Sequence, residues 1–159
     1  MEWEFVLAAF FRLLLAAVFG GVVGWEREFH EKGAGLRTHM LICVAACLFA
    51  LVTFELRKEF KDADVMRVVQ GLLTGIGFLG GGVIFTRHGS VQGLTTAAGL
   101  WALTGVGLAV GFGYYFLGAL GTAFAFIIIA TLKSADAWLR AKFASQRRGG
   151  DGEQTPTDS

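Results

Sequence analysis

The sequence predicts an all-α membrane protein, a compact, glycine-rich bundle of five transmembrane helices. Of its 159 residues, 54% are hydrophobic and only 17% are charged. The mean hydropathy of +0.57 is higher than an ordinary soluble domain has. The 23 glycines lie mostly inside the apolar segments. Glycine destabilises an isolated helix by about 1 kcal/mol relative to alanine, but it lets membrane helices approach one another closely.

Five segments are long and apolar enough for a span, which needs about 20 residues. They cover residues 5–25, 38–54, 68–85, 94–112 and 114–132. The first segment has neither a basic stretch before it nor a clear cleavage site, so we expect a retained span rather than a signal peptide. A bundle of four spans with a re-entrant third segment is the alternative.

The positive charges predict the orientation of the bundle. Lys and Arg are more numerous in the 26–37 loop, the 86–93 loop and the tail after residue 132 than in residues 55–67 on the opposite side. Cytoplasmic loops carry such an excess, so we expect the N-terminus outside and the C-terminus in the cytoplasm. The interfacial aromatic residues fit this orientation: Trp3, Tyr114 and Tyr115 at the outer surface, and Trp25 and Trp138 at the inner surface.

The transmembrane domain is expected to occupy residues 1–132. Residues 133–148 are basic and amphipathic, and they should form a juxtamembrane helix along anionic lipid headgroups. We interpret this helix as a positive anchor that fixes topology, with a regulatory role as the alternative. Residues 149–159 are polar and are expected to be disordered.

Pairs of glycines four residues apart predict surfaces for close helix packing. These pairs are Gly20 and Gly24, Gly71 and Gly75, Gly77 and Gly81, and Gly107 and Gly111. The run Gly80, Gly81 and Gly82 has a second interpretation. A helix break there would expose backbone carbonyls, which membrane proteins tolerate only where protein or a water-filled cavity covers them.

Arg12 lies within the first span and is a candidate functional residue, because charged side chains inside a membrane are costly. The alternative is that its side chain extends to the outer interface. Glu26, the next acidic residue of that helix, is about 21 Å away at the rise of an α-helix. A partner is therefore expected from another span or the outer loop, such as Glu55, Asp62 or Asp64.

The first cytoplasmic loop carries polar residues next to the membrane. Glu26, Arg27, Arg37 and His39 could form a polar vestibule, and Thr38 is expected to cap the second span. His39 shares a helical face with Cys43 and Cys47. Because three ligands at this common spacing make a weak metal signal, we expect these side chains to pack in the core, and we predict no metal or cofactor.

Two further groups of polar residues are candidates. Gln70 and Thr74 share a face of the third span and could line a polar seam. Thr95 and Thr96 follow Gly93 at the start of the fourth span. Their hydroxyls could cap that helix, at an end where free amides and the helix dipole favour an anion.

Several segments together resemble the MgtC/SapB family of bacterial inner-membrane proteins. They are residues 20–28, the motif Ala34-Gly-Leu-Arg-Thr-His39, residues 75–85 and residues 91–101. Asp64 and Arg67 match the family's Asp-Pro-x-Arg motif without its proline, and Gln92 replaces a frequent arginine. Many members add a soluble ACT-type domain after the spans, which we do not expect in this chain.

The resemblance implies a bacterial inner-membrane protein linked to magnesium homeostasis and virulence. It suggests a modulator of another membrane complex, such as the F-type ATP synthase, that acts through helix contacts. The alternative is a carrier or channel for Mg²⁺ or another small ion. Mg²⁺ prefers carboxylates and retained waters, and the predicted spans contain no Asp or Glu.

Two further expectations concern the protein's partners and its chemistry. A homodimer through Gly20 and Gly24 is a third possibility for its role. No nucleophile–base pair or phosphate loop is present in the sequence, so we do not expect an enzyme. The net charge of +1 gives no reason to expect a nucleic-acid partner.

Overall fold

The structure, a computed structural model, describes residues 2–60, 64–87 and 89–131. The four longer helices and the two strands are α1 (Glu2–Phe29), α2 (Leu36–Glu59), α3 (Val65–Gly82), β1 (Phe85–Arg87), β2 (Ser90–Gln92) and α4 (Leu94–Gly111). A shorter apolar helix, α5, covers Tyr115–Thr131. The predicted juxtamembrane helix of residues 133–148 and the predicted tail of residues 149–159 lie outside the described residues.

The helices confirm the predicted apolar helical bundle. Four helices in the described part of the chain, α1 to α4, are long and apolar enough to cross a membrane, and α5 is shorter. The contacts divide the chain into one unit from Met1 to Phe126 and a second from Ile127 onwards. Of the second unit, the structure describes only the end of α5, where the hydroxyl of Thr131 donates to the carbonyl of Ile127.

Gly20 and Gly24 bring α1 and α2 into backbone contact. A Cβ atom added at Gly20 would lie 2.6 Å from the carbonyl oxygen of His39, and one at Gly24 would lie 2.8 Å from the Cα of Leu36. Larger side chains would therefore force the two helices apart. Both glycines are covered by α2 of the same chain, so this surface is not free to pair with a second copy.

A second glycine contact joins α4 to α2. A Cβ atom at Gly111 would lie 2.5 Å from the Cβ of Ala50, and one at Gly107 would collide with the carbonyl oxygen of Cys43. Half of the 18-residue apolar stretch of α4 is buried, the largest share among the four spans. Helix α4 therefore lies in the core, together with the buried free thiols of Cys43 and Cys47.

Helix α3 packs far less than its neighbours. Only 11% of the 18-residue apolar stretch of α3 is buried, against 39% of the corresponding stretch of α2. A Cβ atom added at any of five of its glycines would have no neighbouring atom within 4 Å: Gly71, Gly75, Gly77, Gly81 and Gly82. The close contacts predicted for the first four of these glycines are therefore not made within the described part of the chain.

The expected alternative of a break within Gly80–Gly82 is wrong, because α3 continues to Gly82 and ends there. The amides of Val83 and Ile84 close the last turn by donating to the carbonyls of Gly80 and Gly81, at 3.3 Å and 3.2 Å. The glycines thus terminate a helix whose backbone groups remain bonded. A Cβ atom at Gly80 would make only an ordinary contact with Ala97, at 3.6 Å.

The predicted third span extended too far, to residue 85. Phe85 instead begins an exposed antiparallel hairpin, in which it pairs with Gln92 and Arg87 pairs with Ser90. Gly89 lies between the strands with a φ of +74°, which suits glycine in a tight turn. The hairpin was missed because Ile84 and Phe85 extend the apolar run of α3.

Helix α2 begins earlier than expected, so the predicted cap at Thr38 is wrong. The helix starts at Leu36, and its N-cap is Gly35, without a side-chain cap from that residue. The carboxylate of Glu28 accepts from the amide of Leu36 at 3.0 Å. A side chain of α1 thus satisfies the first turn of α2 and leaves Thr38 exposed inside the helix.

The ends of α3 and α4 are set by two further residues. The carboxylate of Asp64 accepts from the amides of Met66 and Arg67, at 2.9 Å and 3.3 Å, and so caps α3. Gly93 precedes α4 with a φ of +88°, and a Cβ atom there would collide with the carbonyl oxygen of Val83. Only glycine fits this connection between the hairpin and α4.

Candidate functional site

A group of four buried polar residues joins the end of α1 to the starts of α2 and α4. We call Glu26, Arg27, His39 and Thr96 the Arg27 cluster. Their exposed fractions are 8%, 6%, 0% and 5%, in that order. Burying charged groups is costly unless they are paired and hydrogen-bonded, so such a cluster is a candidate functional site.

Arg27 connects α1 to α4 through Thr96. Its Nη2 atom donates to the Thr96 hydroxyl at 2.6 Å, in a buried hydrogen bond. The prediction that Thr95 and Thr96 cap α4 is wrong, because the helix has no side-chain cap and the Thr95 side chain is exposed. Thr96 accepts from a neighbouring helix instead.

The histidines of this region have defined tautomers. Nδ1 of His39 lies 2.9 Å from the Gly35 carbonyl oxygen, which can only accept, so Nδ1 carries the proton. In the neutral ring, Nε2 of His39 is then an acceptor. Nδ1 of His30 lies 2.9 Å from Oε1 of Glu26 and 2.8 Å from the Glu26 carbonyl oxygen, and it donates to them.

Three polar atoms of the Arg27 cluster are buried without a hydrogen-bond partner among the described residues. They are Oε2 of Glu26, Nε of Arg27 and Nε2 of His39. Buried polar atoms are bonded in the great majority of cases, and the exceptions point to water, an ion or function. The cluster therefore offers two acceptors and one charged donor to a bound molecule.

The structure brings together most of the predicted vestibule. Glu26, Arg27 and His39 lie in the Arg27 cluster, whereas the Arg37 side chain is exposed at the start of α2. Thr96 also belongs to this cluster, although the sequence analysis predicted it as a cap of α4. His30 was missed, although its spacing of four residues from Glu26 on one helix was a usable signal.

Arg12 binds the turn between α4 and α5. Its Nη1 donates to the Gly111 carbonyl oxygen at 2.8 Å, and its Nε donates to the Tyr115 hydroxyl at 3.0 Å. The prediction that Glu55 or Asp64 pairs with Arg12 is therefore wrong, and the third predicted partner, Asp62, lies outside the described residues. The last carbonyls of a helix lack intrahelical donors and carry partial negative charge, so the end of α4 suits a guanidinium.

An apolar core separates Arg12 from the Arg27 cluster. The two arginines are 15 residues apart on α1, about 22 Å along the helix. Fully buried Ala16, Val23 and Leu103 lie in this core. Thr104 is also buried, and its hydroxyl donates to the carbonyl of Leu100 at 2.9 Å. Among the described residues, no side-chain hydrogen bond connects Arg12 to the Arg27 cluster through this core.

Helix α3 carries the remaining candidates on an exposed surface. Gln70, Thr74, Gly77 and Gly81 recur at i, i+4, i+7 and i+11, and all four are exposed. We call them the α3 stripe. The Thr74 hydroxyl donates to the backbone carbonyl of Gln70 at 2.9 Å. The Gln70 side chain, with its amide, is exposed. Arg67 is also exposed, in the first turn of α3.

The fold and these sites define a multi-pass α-helical membrane protein with a buried polar cluster near one end of the bundle. A sequence model of the MgtC family matches residues 13–138, and the chain belongs to the MgtC family. The resemblance to the MgtC/SapB family is thereby confirmed.

Relatives from three bacteria support this assignment. The chain is 37% identical over 134 residues to an Escherichia coli K12 protein named "Putative magnesium transporter YhiD", covering 81% of this chain and 60% of that protein. It is 37% identical to the protein MgtC of Brucella abortus strain 2308, covering 84% of this chain and 54% of that protein. It is 36% identical to the protein SrpB of Synechococcus elongatus, covering 82% of this chain and 79% of that protein.

The chain spans less than two thirds of the length of its YhiD and MgtC relatives. No solved structure matches it.

Proposed function

We propose that the chain is a regulatory protein of the bacterial inner membrane, linked to magnesium homeostasis, that modulates another membrane complex through helix contacts. One observation carries the proposal. The α3 stripe presents a side-chain amide, a threonine and two glycines on the exposed face of an apolar helix.

A lipid-facing surface of this kind is unfavourable. The amide of Gln70 finds no acceptor among lipid tails, and glycine covers the helix backbone poorly. Membrane helices associate through small residues and through hydrogen bonds of Gln, Ser and Thr side chains. The same chain already uses four glycines in this way: Gly20, Gly24, Gly107 and Gly111. The α3 stripe has the same chemistry without a partner helix among the described residues.

The positive charges support an orientation with the N-terminus outside and the C-terminus in the cytoplasm. Arg27, Arg37 and Arg87 then lie on the cytoplasmic side, together with the Arg27 cluster. The resemblance to the MgtC/SapB family suggests the F-type ATP synthase as a candidate complex. A second copy of this chain is the competing partner for the α3 stripe.

The experiment is affinity capture from bacterial membranes in mild detergent. The unaltered chain is compared with Gly77→Leu in the α3 stripe and with Gly105→Leu in α4. Gly105 is an exposed glycine with open space around it, so the control has the same chemistry at a different surface. We expect a stoichiometric partner that Gly77→Leu loses and Gly105→Leu retains. Equal capture by both variants, or no partner, would contradict the proposal.

A carrier or channel for Mg²⁺ or another small ion is the second candidate function. The name of the YhiD relative and the intramembrane position of Arg12 favour it. Against it stands the apolar core between Arg12 and the Arg27 cluster, because Mg²⁺ requires oxygen ligands and retained waters along its path. Proteoliposomes loaded for Mg²⁺, H⁺ and phosphate flux distinguish the two functions. Flux that is lost in Arg12→Ala would establish transport.

A further inference from the structure

We propose that the amino end of α4 and the side chain of Arg27 form a binding site for the phosphate group of an anionic lipid or for free phosphate. This proposal does not depend on the role of the α3 stripe. It rests on free backbone amides, on a buried guanidinium and on the position of both at the end of the bundle.

The first turn of α4 has free hydrogen-bond donors. Gly93 provides no side-chain cap, and the first amide bonded within the helix is that of Ala97, which donates to the Gly93 carbonyl at 2.9 Å. The amides of Leu94, Thr95 and Thr96 precede it, and none of them has a partner among the described residues. Such amides, together with the helix dipole, are a common anion site.

Arg27 is the independent observation that points to an anion. Arg27 is only 6% exposed, and its Nη2 reaches Thr96 in that first turn. Nε has no partner, and the ion pairs within the described ranges do not include Arg27. The adjacent Glu26 carboxylate offsets part of the Arg27 charge without a hydrogen bond to it. A buried guanidinium that lacks a hydrogen-bonded carboxylate is costly, and an oxyanion would supply the missing charge-assisted hydrogen bonds.

The site is reachable from one side. The Leu94 side chain is 58% exposed, and Thr95 is also exposed, whereas Thr96 and Arg27 are buried behind them. Arg87, in the preceding hairpin, is exposed as well. Because the start of a membrane span lies at headgroup depth, a lipid phosphate and a phosphate from the aqueous phase both reach this position.

Glu26 provides a test of whether the ligand is an anion or a cation. It is adjacent to Arg27 in sequence, and its Oε1 is occupied by His30 while Oε2 has no partner. If the site held a cation, the Glu26 carboxylate would be its main ligand. If it holds an anion, this carboxylate opposes binding, so Glu26→Gln should strengthen the affinity.

The experiment titrates the purified chain of residues 1–159 in neutral detergent with three probes. These are inorganic phosphate, short-chain phosphatidylglycerol and short-chain phosphatidylcholine, with binding followed by calorimetry. Phosphatidylcholine controls for acyl-chain binding, because its headgroup has no net charge. Binding of phosphatidylglycerol alone assigns a lipid headgroup, and binding of inorganic phosphate assigns a free anion. Binding of neither above the phosphatidylcholine level overturns the proposal.

Four variants test the residues. We expect Arg27→Gln to weaken binding about tenfold or more, because it removes the positive charge and one charge-assisted hydrogen bond. Thr95→Asp places a carboxylate at the free amides, where acidic residues stabilise a helix, so it should fold and lose binding to a similar extent. Arg37→Gln, an exposed arginine at the start of α2, should change binding less than twofold.

The fourth variant is Glu26→Gln, which should bind the anion more tightly. Thr95→Asp keeps the test decisive if Arg27→Gln does not fold, since Thr95 is exposed and its side chain makes no hydrogen bond within the described chain. Unchanged binding in Thr95→Asp, or weaker binding in Glu26→Gln, would overturn the proposal.

Discussion

The Nη2 atom of Arg27 donates a buried hydrogen bond of 2.6 Å to the hydroxyl of Thr96, which is 69 residues further along the chain. This contact joins the end of α1 to the first turn of α4. It places the only buried guanidinium among the described residues next to free backbone amides. The bond is thus both a packing contact between two spans and the structural basis of the proposed anion site.

Thr96→Val should destabilise the bundle, because it keeps the side-chain shape and removes the acceptor of Arg27. Leaving a buried charged donor unsatisfied costs about 1–3 kcal/mol. The measurement is reversible unfolding in detergent with increasing denaturant. Thr95→Val is the matched control, since Thr95 is exposed and should change the free energy of unfolding little. Equal effects of the two variants would contradict the role of the hydrogen bond.

Gly107→Ala should also destabilise the protein, because its new Cβ atom would collide with the Cys43 carbonyl oxygen in the contact between α2 and α4. Overpacking of this kind costs about 1–3 kcal/mol. Gly105→Ala adds the same methyl group to the same helix at a position with open space. Thermal unfolding in detergent compares them, and a Gly105 variant as unstable as the Gly107 variant would refute this packing.

Arg12 and Tyr115 should be energetically coupled. Arg12→Met and Tyr115→Phe each remove the hydrogen bond of 3.0 Å between the two side chains, which contributes about 1 kcal/mol. A double-mutant cycle measures the coupling, and strictly additive effects would show that the bond is not formed. We further expect Arg12→Ala to impair function while the protein stays inserted, and complementation by that variant checks this.

Gly93→Ala should be more damaging than Gly89→Ala. Both glycines have positive φ, at +88° and +74°, so each substitution places alanine in the left-handed region at about 1–2 kcal/mol. Only the Gly93 variant also meets the Val83 carbonyl oxygen, while nothing lies within 4 Å at Gly89. Folded yield after size-exclusion chromatography measures the difference, and similar yields would contradict the geometry at Gly93.

The helical bundle followed from the sequence because apolar length and glycine spacing are local signals. Segment lengths predicted the spans, and glycines four residues apart marked the contacts of α1 with α2 and of α2 with α4. The same spacing did not tell which glycines meet a helix of the same chain. Gly77 and Gly20 have identical local signals, and only the fold shows that Gly20 faces α2 while Gly77 faces outwards.

The candidate sites depended on contacts between distant residues, which the sequence does not specify. An acidic partner was expected for Arg12, yet the end of α4 supplies a carbonyl oxygen and Tyr115 supplies a hydroxyl. Thr96 looked like a helix cap because of its position after Gly93. Its hydroxyl is instead the acceptor of Arg27, since the charged donor gains more from the hydrogen bond than the backbone amide would.

Photocrosslinking in bacterial membranes tests the central claim most directly, namely that the outward face of α3 binds a partner. A photoreactive residue replaces Thr74 in the α3 stripe or, as the control, Gly105 in α4. We expect a discrete protein adduct from position 74, absent from position 105 and lost when Gly77→Leu is added. An equal lack of protein adducts at both positions would show that the α3 stripe faces lipid and would contradict the account.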